Sequence, residues 1–208
     1  MATRLTGSDV TAVFITADTV ALDADGISAA AAVGNNAALT IGGALASGGA
    51  CAFNAGRVVT ILSAGDDSAK SFTVTGTDVN GDAQTESITG ANAGTATGAK
   101  YFKTVSGISA VGNPAGNVSA GVNASAGDVA FAGRTRLQGI NMVCSATAGT
   151  LDFLKTSPAG TSVFKVGSIA SATATRDLTI PDSGLLFDNG IYVQYTVSTF
   201  GTITLFYS

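Results

Sequence analysis

One stretch constrains the fold of this 208-residue chain more than any other. From Lys70 to Thr77 the sequence alternates polar and apolar residues, placing Phe72 and Val74 on one face. The pattern breaks at Asn80-Gly81, the dipeptide that best tolerates a tight hairpin turn, and resumes from Ala83 to Thr89 with Ile88 pointing inward. Such a segment is a β-hairpin, and the same signature recurs along the chain. Arg57–Ser63 is a β-branched run that ends in the turn cluster Ala64-Gly65-Asp66-Asp67-Ser68. Tyr101–Val105 and Ile108–Val111 predict one kinked strand with a bulge near Gly107, and Asn117–Val122 predicts a short one. Ala38–Ile41 and Ala50–Phe53 read as a further pair, and Ala29–Val33 as a single helical turn stopped by Gly34-Asn35-Asn36.

Beyond the small, polar stretch at 123–133, six strand-like runs follow at short intervals: Thr135–Cys144, Thr150–Lys155, Ser162–Val166, Thr175–Ile180, Ile191–Val197 and Thr202–Tyr207. That spacing is expected of a sandwich or barrel. The last runs carry Tyr192, Tyr195, Phe200, Phe206 and Tyr207, which are expected in a core or a subunit interface. The chain is therefore read as all-β, with antiparallel β-sandwich or jelly-roll-like domains in tandem. Residues 1–20 are expected to form an N-terminal arm that orders against a partner. Residues 21–128 would form a β-sandwich, and residues 129–208 a second sandwich or barrel.

Composition supports strands and narrows the chemistry. Of the acidic residues 13 are Asp and only Glu86 is Glu, which favours turns over helix interiors. The chain has no His and no Trp. Without His, Ser-His-Asp and Cys-His nucleophiles and most zinc sites are unavailable. Asp78-Val79-Asn80-Gly81-Asp82 resembles the opening of a calcium loop. However, its Gly falls too early, Thr89 stands where a closing Glu belongs, and a hairpin turn explains the same residues. Asp23 with Asp25, and Asp66 with Asp67, are acidic turns without the aromatic surroundings that paired catalytic carboxylates need. No Gly-x-Ser-x-Gly, GxGxxG or Walker pattern occurs. Catalytic, cofactor-binding and metal-binding residues are thus expected to be none, and the chain is read as not an enzyme.

Charged residues make up 12% of the chain and leave a net charge of −4. The densest basic pair, Arg134 with Arg136, is expected on one face of a strand and offers no stripe for a phosphate backbone, so no nucleic acid partner is expected. Ile27–Ala46 is apolar but interrupted by Gly34, Asn35, Asn36, Gly42 and Gly43, too weak for a span of about 20 apolar residues. No membrane partner is expected either. The amino terminus lacks the pattern of a signal peptide, so synthesis in a host cytoplasm is expected. On that ground the sequons at Asn117 and Asn123 carry no weight. Cys51 and Cys144 each sit in an apolar run, as buried free thiols do.

The segment from Arg57 to Val111 resembles one that recurs in structural proteins of tailed bacteriophages. The features that carry the likeness are the turn at Ser63–Ser68, the strand Phe72–Asp78, Asn80-Gly81, the strand Thr85–Gly90 and the strand Lys100–Val105. RLQGINM, TAGTLDF and IPDSGLLFDNGIYV in the carboxyl half are similar to β-barrel-like segments of such virion proteins, and residues 1–35 lie outside the likeness. The resemblance implies a virion component on the capsid surface, with capsid decoration (cement) as the leading role. Its partners would be the major capsid protein and copies of itself, with a homotrimer favoured. A head-tail connector, tail or fibre component is the alternative within the same kind of particle. A carbohydrate-binding or adhesive β module is the alternative from another class.

Overall fold

The computed structural model describes residues 10–17, 20–169 and 173–208. In chain order its strands are β1 (Thr11–Thr16), β2 (Asp23–Ala32), β3 (Ala46–Ser47), β4 (Ala50–Ser63), β5 (Ser71–Thr77), β6 (Ala83–Thr89), β7 (Thr95–Val111) and β8 (Asn117–Val122). The remainder are β9 (Gly127–Phe131), β10 (Thr135–Cys144), β11 (Gly149–Lys155), β12 (Ser162–Ser168), β13 (Ala174–Thr179), β14 (Leu185–Phe187), β15 (Ile191–Tyr195) and β16 (Phe200–Tyr207). All pairings between them are antiparallel, and the described residues contain no helix. The protein is all-β and β-sandwich-like.

The chain divides into two compact units, Thr19–Ser125 and a second that joins Met1–Asp18 to Ala126–Ser208. In the first, the sheet order is β2-β8-β4-β7-β5-β6, with β3 beside β4. The 17-residue β7 holds this sheet together: residues 95–105 pair with β4, and residues 104–111 pair with β5. Its register slips where Thr75 faces Gly107 and Gly76 faces Val105, which is the bulge expected near Gly107. The core gathers Ile27, Val59, Ile61, Phe72, Val74, Ile88, Phe102, Val105 and Ile108. Phe72, Val74 and Ile88 are the inward residues of the expected hairpin.

Only part of β7 has a strand on each side. Along residues 95–101 the missing neighbour is replaced by side chains from β6. The Glu86 carboxylate accepts hydrogen bonds from the amides of Ala99 and Lys100, and Gln84 Nε2 donates to the Tyr101 carbonyl at 2.8 Å. Lys100 Nζ returns a bond to the Thr85 carbonyl at 2.8 Å. The single glutamate of the chain thus works as a backbone acceptor. Glu86→Ala is expected to cost about 1–3 kcal/mol and to speed hydrogen exchange at Ala99 and Lys100, read by NMR. Unchanged exchange there would show that the carboxylate does not hold these amides.

In the second unit, β1-β16-β10-β13 form one sheet, with β14 also beside β10, and β12-β11-β15-β9 form another. One core fills the space between their inner faces: Ile15, Leu137, Ile140, Met142, Ile203 and Leu205 from the first sheet, and Leu151, Phe153, Ile191, Val193 and Tyr195 from the second. The six expected strands of this half all form, and β9 and β14 join them.

Several local expectations are corrected. Over Thr11–Thr16 the expected arm gives way to β1, which pairs with β16 in unbroken register because Val13 and Ile15 alternate inward. The rest of residues 1–9, with 18 and 19, lies outside the described residues. Ala29–Val33 is not a helical turn: residues to Ala32 extend β2 along β8, and pairing overrides the helical preference of alanine. Ala38–Ile41 does not pair with Ala50–Phe53; Ala38 bridges Ser109, and Ala50–Phe53 opens the long β4. The hairpin loop is five residues, from Asp78 to Asp82, rather than a two-residue turn. Only Gly81 takes a positive φ there, of 91°. Arg134 precedes β10 and so does not share a strand face with Arg136.

Candidate interaction surface

The polar residues that could carry chemistry are engaged in holding the backbone. In the Asp78–Asp82 loop, Asp78 Oδ1 accepts from the amides of Asn80 (2.8 Å) and Asp82 (3.0 Å), as an Asx turn does. Asp23 Oδ1 likewise accepts from the Asp25 amide at 3.2 Å. Asp66 and Asp67 part company. Asp66 is exposed and accepts from the hydroxyl and amide of Ser68, at 2.7 and 3.1 Å. These bonds, the hydroxyl foremost, hold its carboxyl below the usual range. Because the folded pKa is depressed, this contribution is present above the unfolded pKa and fades as pH falls through the folded one. Ser68→Ala is expected to raise the Asp66 titration toward the ordinary carboxylate value, followed by carboxyl carbon NMR.

Asp67 is fully buried, and its Oδ1 accepts from the Ala115 amide at 2.8 Å. Its own amide donates to the Ala91 carbonyl, and its carbonyl accepts from Lys70. The residue latches three loops, a role no sequence motif announces. In the second unit, the Tyr195 hydroxyl donates to buried Asp128 at 2.7 Å. Asp152 accepts from Ser162 through one oxygen and meets Lys165 Nζ at 2.8 Å through the other. Cys51 and Cys144 are buried free thiols, and burial pushes the Cys51 pKa up. No group of three or more Cys, Asp or Glu side chains that could hold a metal ion occurs among the described residues.

What the second unit does present is a sheet face. Ala12, Phe14 and Thr16 on β1 lie beside Phe206, Thr204 and Thr202 on β16. These in turn lie beside Gly139, Asn141 and Val143 on β10, and then Thr179, Asp177 and Thr175 on β13. All point away from the core. Phe14 is 63% exposed and Phe206 37%, although large hydrophobics normally turn inward on a strand. Phe206 leans over Gly139, where an added Cβ would stand 3.5 Å from its ring. The ring borders an open recess of about 390 Å³ lined also by Gln138, Ile140, Asp177, Leu178 and Thr179. Asp177 on this face accepts a hydrogen bond from Asn141 Nδ2, and Arg136 lies further along the same side of β10. The surface is therefore rich in threonine and carries few charges. It suits broad packing contacts better than it suits an ionic substrate.

Of the aromatic residues expected in core or interface, Tyr192, Tyr195 and Phe200 are buried, and Phe206 lies on the exposed face. Phe14 was placed in an arm by its sequence context and stands instead at the other aromatic position of this face. Comparison with known proteins adds no identity: no family model, no curated protein and no solved structure matches the chain.

Proposed function

We propose that this chain is a non-catalytic structural protein of a virus particle, acting as a decoration protein that binds the outer capsid shell and copies of itself. The observation that carries this reading is the strand order of the second unit. Apart from the short β14, its eight strands number one to eight in the order β1, β9, β10, β11, β12, β13, β15 and β16. The two sheets then read 1-8-3-6 and 5-4-7-2. We read this as the double Greek-key order of a jelly roll, an architecture found in viral capsid proteins and also in lectins and cupins. Fold alone does not carry function. The likeness of Arg57–Val111 to phage structural segments, the low charge and the exposed aromatic face each favour the virion role.

A subunit repeated over a shell needs rigid sheets and shared apolar surface rather than a turnover site. Modest contacts to several capsomers reinforce one another through effective concentration, and a bound cap stabilises the assembled state by mass action. A trimer would suit threefold positions of an icosahedral lattice. The experiment is quantitative mass spectrometry of purified particles. A decoration role predicts hundreds of copies, on the order of the capsomer number of a closed shell. A handful of copies would move the protein to the connector or tail, and none would reject the reading. The recess beside Phe206 favours one reading from another class, a carbohydrate-binding module, and saturable binding on a glycan array would select it.

A further inference from the structure

We infer that two copies of this chain pair edge to edge through β1, antiparallel and centred on Phe14, so that the sheet β1-β16-β10-β13 continues from one copy into the next. This deepens the reading above and rests on it only in supposing that copies stand side by side.

The argument starts from the backbone. The Ala17 amide donates to the Gly201 carbonyl at 3.1 Å, one step beyond the pair Thr16 and Thr202. In an antiparallel ladder, hydrogen-bonded and non-bonded positions alternate. The odd-numbered residues of β1 therefore bond to β16, and Ala12, Phe14 and Thr16 turn their N–H and C=O groups toward the open side. Among the described residues nothing accepts from or donates to those backbone groups.

Exposed edges invite pairing, and proteins normally guard them with charge, proline or bulges. The other edge strands longer than three residues follow that rule. β13 carries Arg176 and Asp177, β12 carries Lys165, and β9 carries Asp128. In the first unit, β2 carries Asp23 and Asp25 with an irregular register, and β6 carries Glu86. β1 reads TAVFIT, with no charge, no proline and an unbroken register against β16. Among the described edge strands of more than three residues it alone is unguarded.

The segment is also complementary to itself. About a two-fold axis at Phe14, Ala12 faces Thr16 of the second copy, Val13 faces Ile15, and the two Phe14 rings lie side by side on the outer face. Inner residues stay inner and outer residues stay outer, as the side-chain period requires. The open groups of Ala12, Phe14 and Thr16 fall at hydrogen-bonded positions, where each pair exchanges both N–H···O bonds. The ring that is 63% exposed in one copy is covered by its twin. No charge opposes a like charge across the axis. An isologous contact of this kind closes on itself, and it joins oligomers built on other surfaces as readily as it builds a dimer.

The test uses the full chain in solution. Light scattering after size exclusion is expected to give the mass of an even number of chains, two where the edge contact acts alone and six where it pairs two trimers. Phe14→Glu sets two carboxylates face to face and is expected to weaken the association by about a hundredfold, with thermal unfolding unchanged because the side chain is exposed. Phe14→Cys places Cα atoms about 5.5 Å apart across the axis, within disulfide reach. Mild oxidation should therefore give a covalent pair on non-reducing gels. Thr204→Cys, one strand further in, should stay single, as should the unaltered chain with its buried thiols. A single or odd-numbered chain, or a Phe14→Cys chain that stays unlinked, overturns the edge contact, whether another protein's strand or nothing then occupies the edge. Particle copy number is read separately, so loss of the edge contact and loss of the decoration role are distinguishable.

Discussion

Phe153→Ala is expected to lower the stability of the second unit by about 3–5 kcal/mol, read as a shift in the urea midpoint. Phe153 is fully buried at the middle of β11, itself an interior strand of β12-β11-β15-β9. Phe164 and Val193 stand opposite it on the two neighbouring strands, and its ring lies 5.9 Å from that of Phe164. The neighbours belong to strands fixed by ladder pairing, so they collapse only partly into the space left behind, and the cavity adds to the lost transfer energy. With no Trp in the chain, tyrosine emission is the natural probe, and Tyr195 lies in this same core. A loss under about 1 kcal/mol would mean that the two sheets do not pack on Phe153.

Gly121→Ala is expected to destabilise the first unit by about 1–3 kcal/mol or more, since a packed backbone cannot yield to an added methyl. Gly121 lies on β8, opposite Thr60 of β4. On its other side β2 runs close, and a Cβ here would stand 1.8 Å from the Asp23 carbonyl oxygen. The approach is this tight because β2 has extra residues between Asp23 and Ser28, whose partners on β8 are only two apart. The bulge presses the chain inward at Gly121. The control is Gly167→Ala on β12, where an added Cβ meets nothing within 4 Å and φ is not positive. That change is expected to be neutral or slightly stabilising. Equal effects at the two sites would show that β2 does not approach β8 as described.

Six strands of the second unit were legible in the sequence because each has both neighbours or one strong face to bury, and alternation records that; the short β9 and β14 were not. β1 was not, since its partner lies at the far end of the chain and its single exposed Phe14 blurs the pattern. Ala29–Ala32 misled for a different reason: alanine favours helices locally, and only the register with β8 makes it strand. The hairpin at Asn80-Gly81 was correctly placed, but the bonds from Asp78 Oδ1 opened it to five residues. The interaction face was half readable. Phe206 belongs to an aromatic cluster that sequence marks as core or interface, but which side of β16 it takes is set by the register with β10. Asp67 looked like one half of an acidic turn, and nothing local distinguishes a buried latch from a solvated cap.

The second unit begins with β1 and ends with β16, and these two strands are partners across the whole intervening chain. During synthesis the continuous stretch Thr19–Ser125 can fold as soon as it emerges, whereas β1 must wait, unpaired, until the last eight-residue strand is made. Completion of the sheet thus waits on β16, the common neighbour of β1 and β10. A chain cut short before Phe200 would leave β1 and one side of β10 without their common neighbour, and the finished face would be displayed only by molecules that include β16.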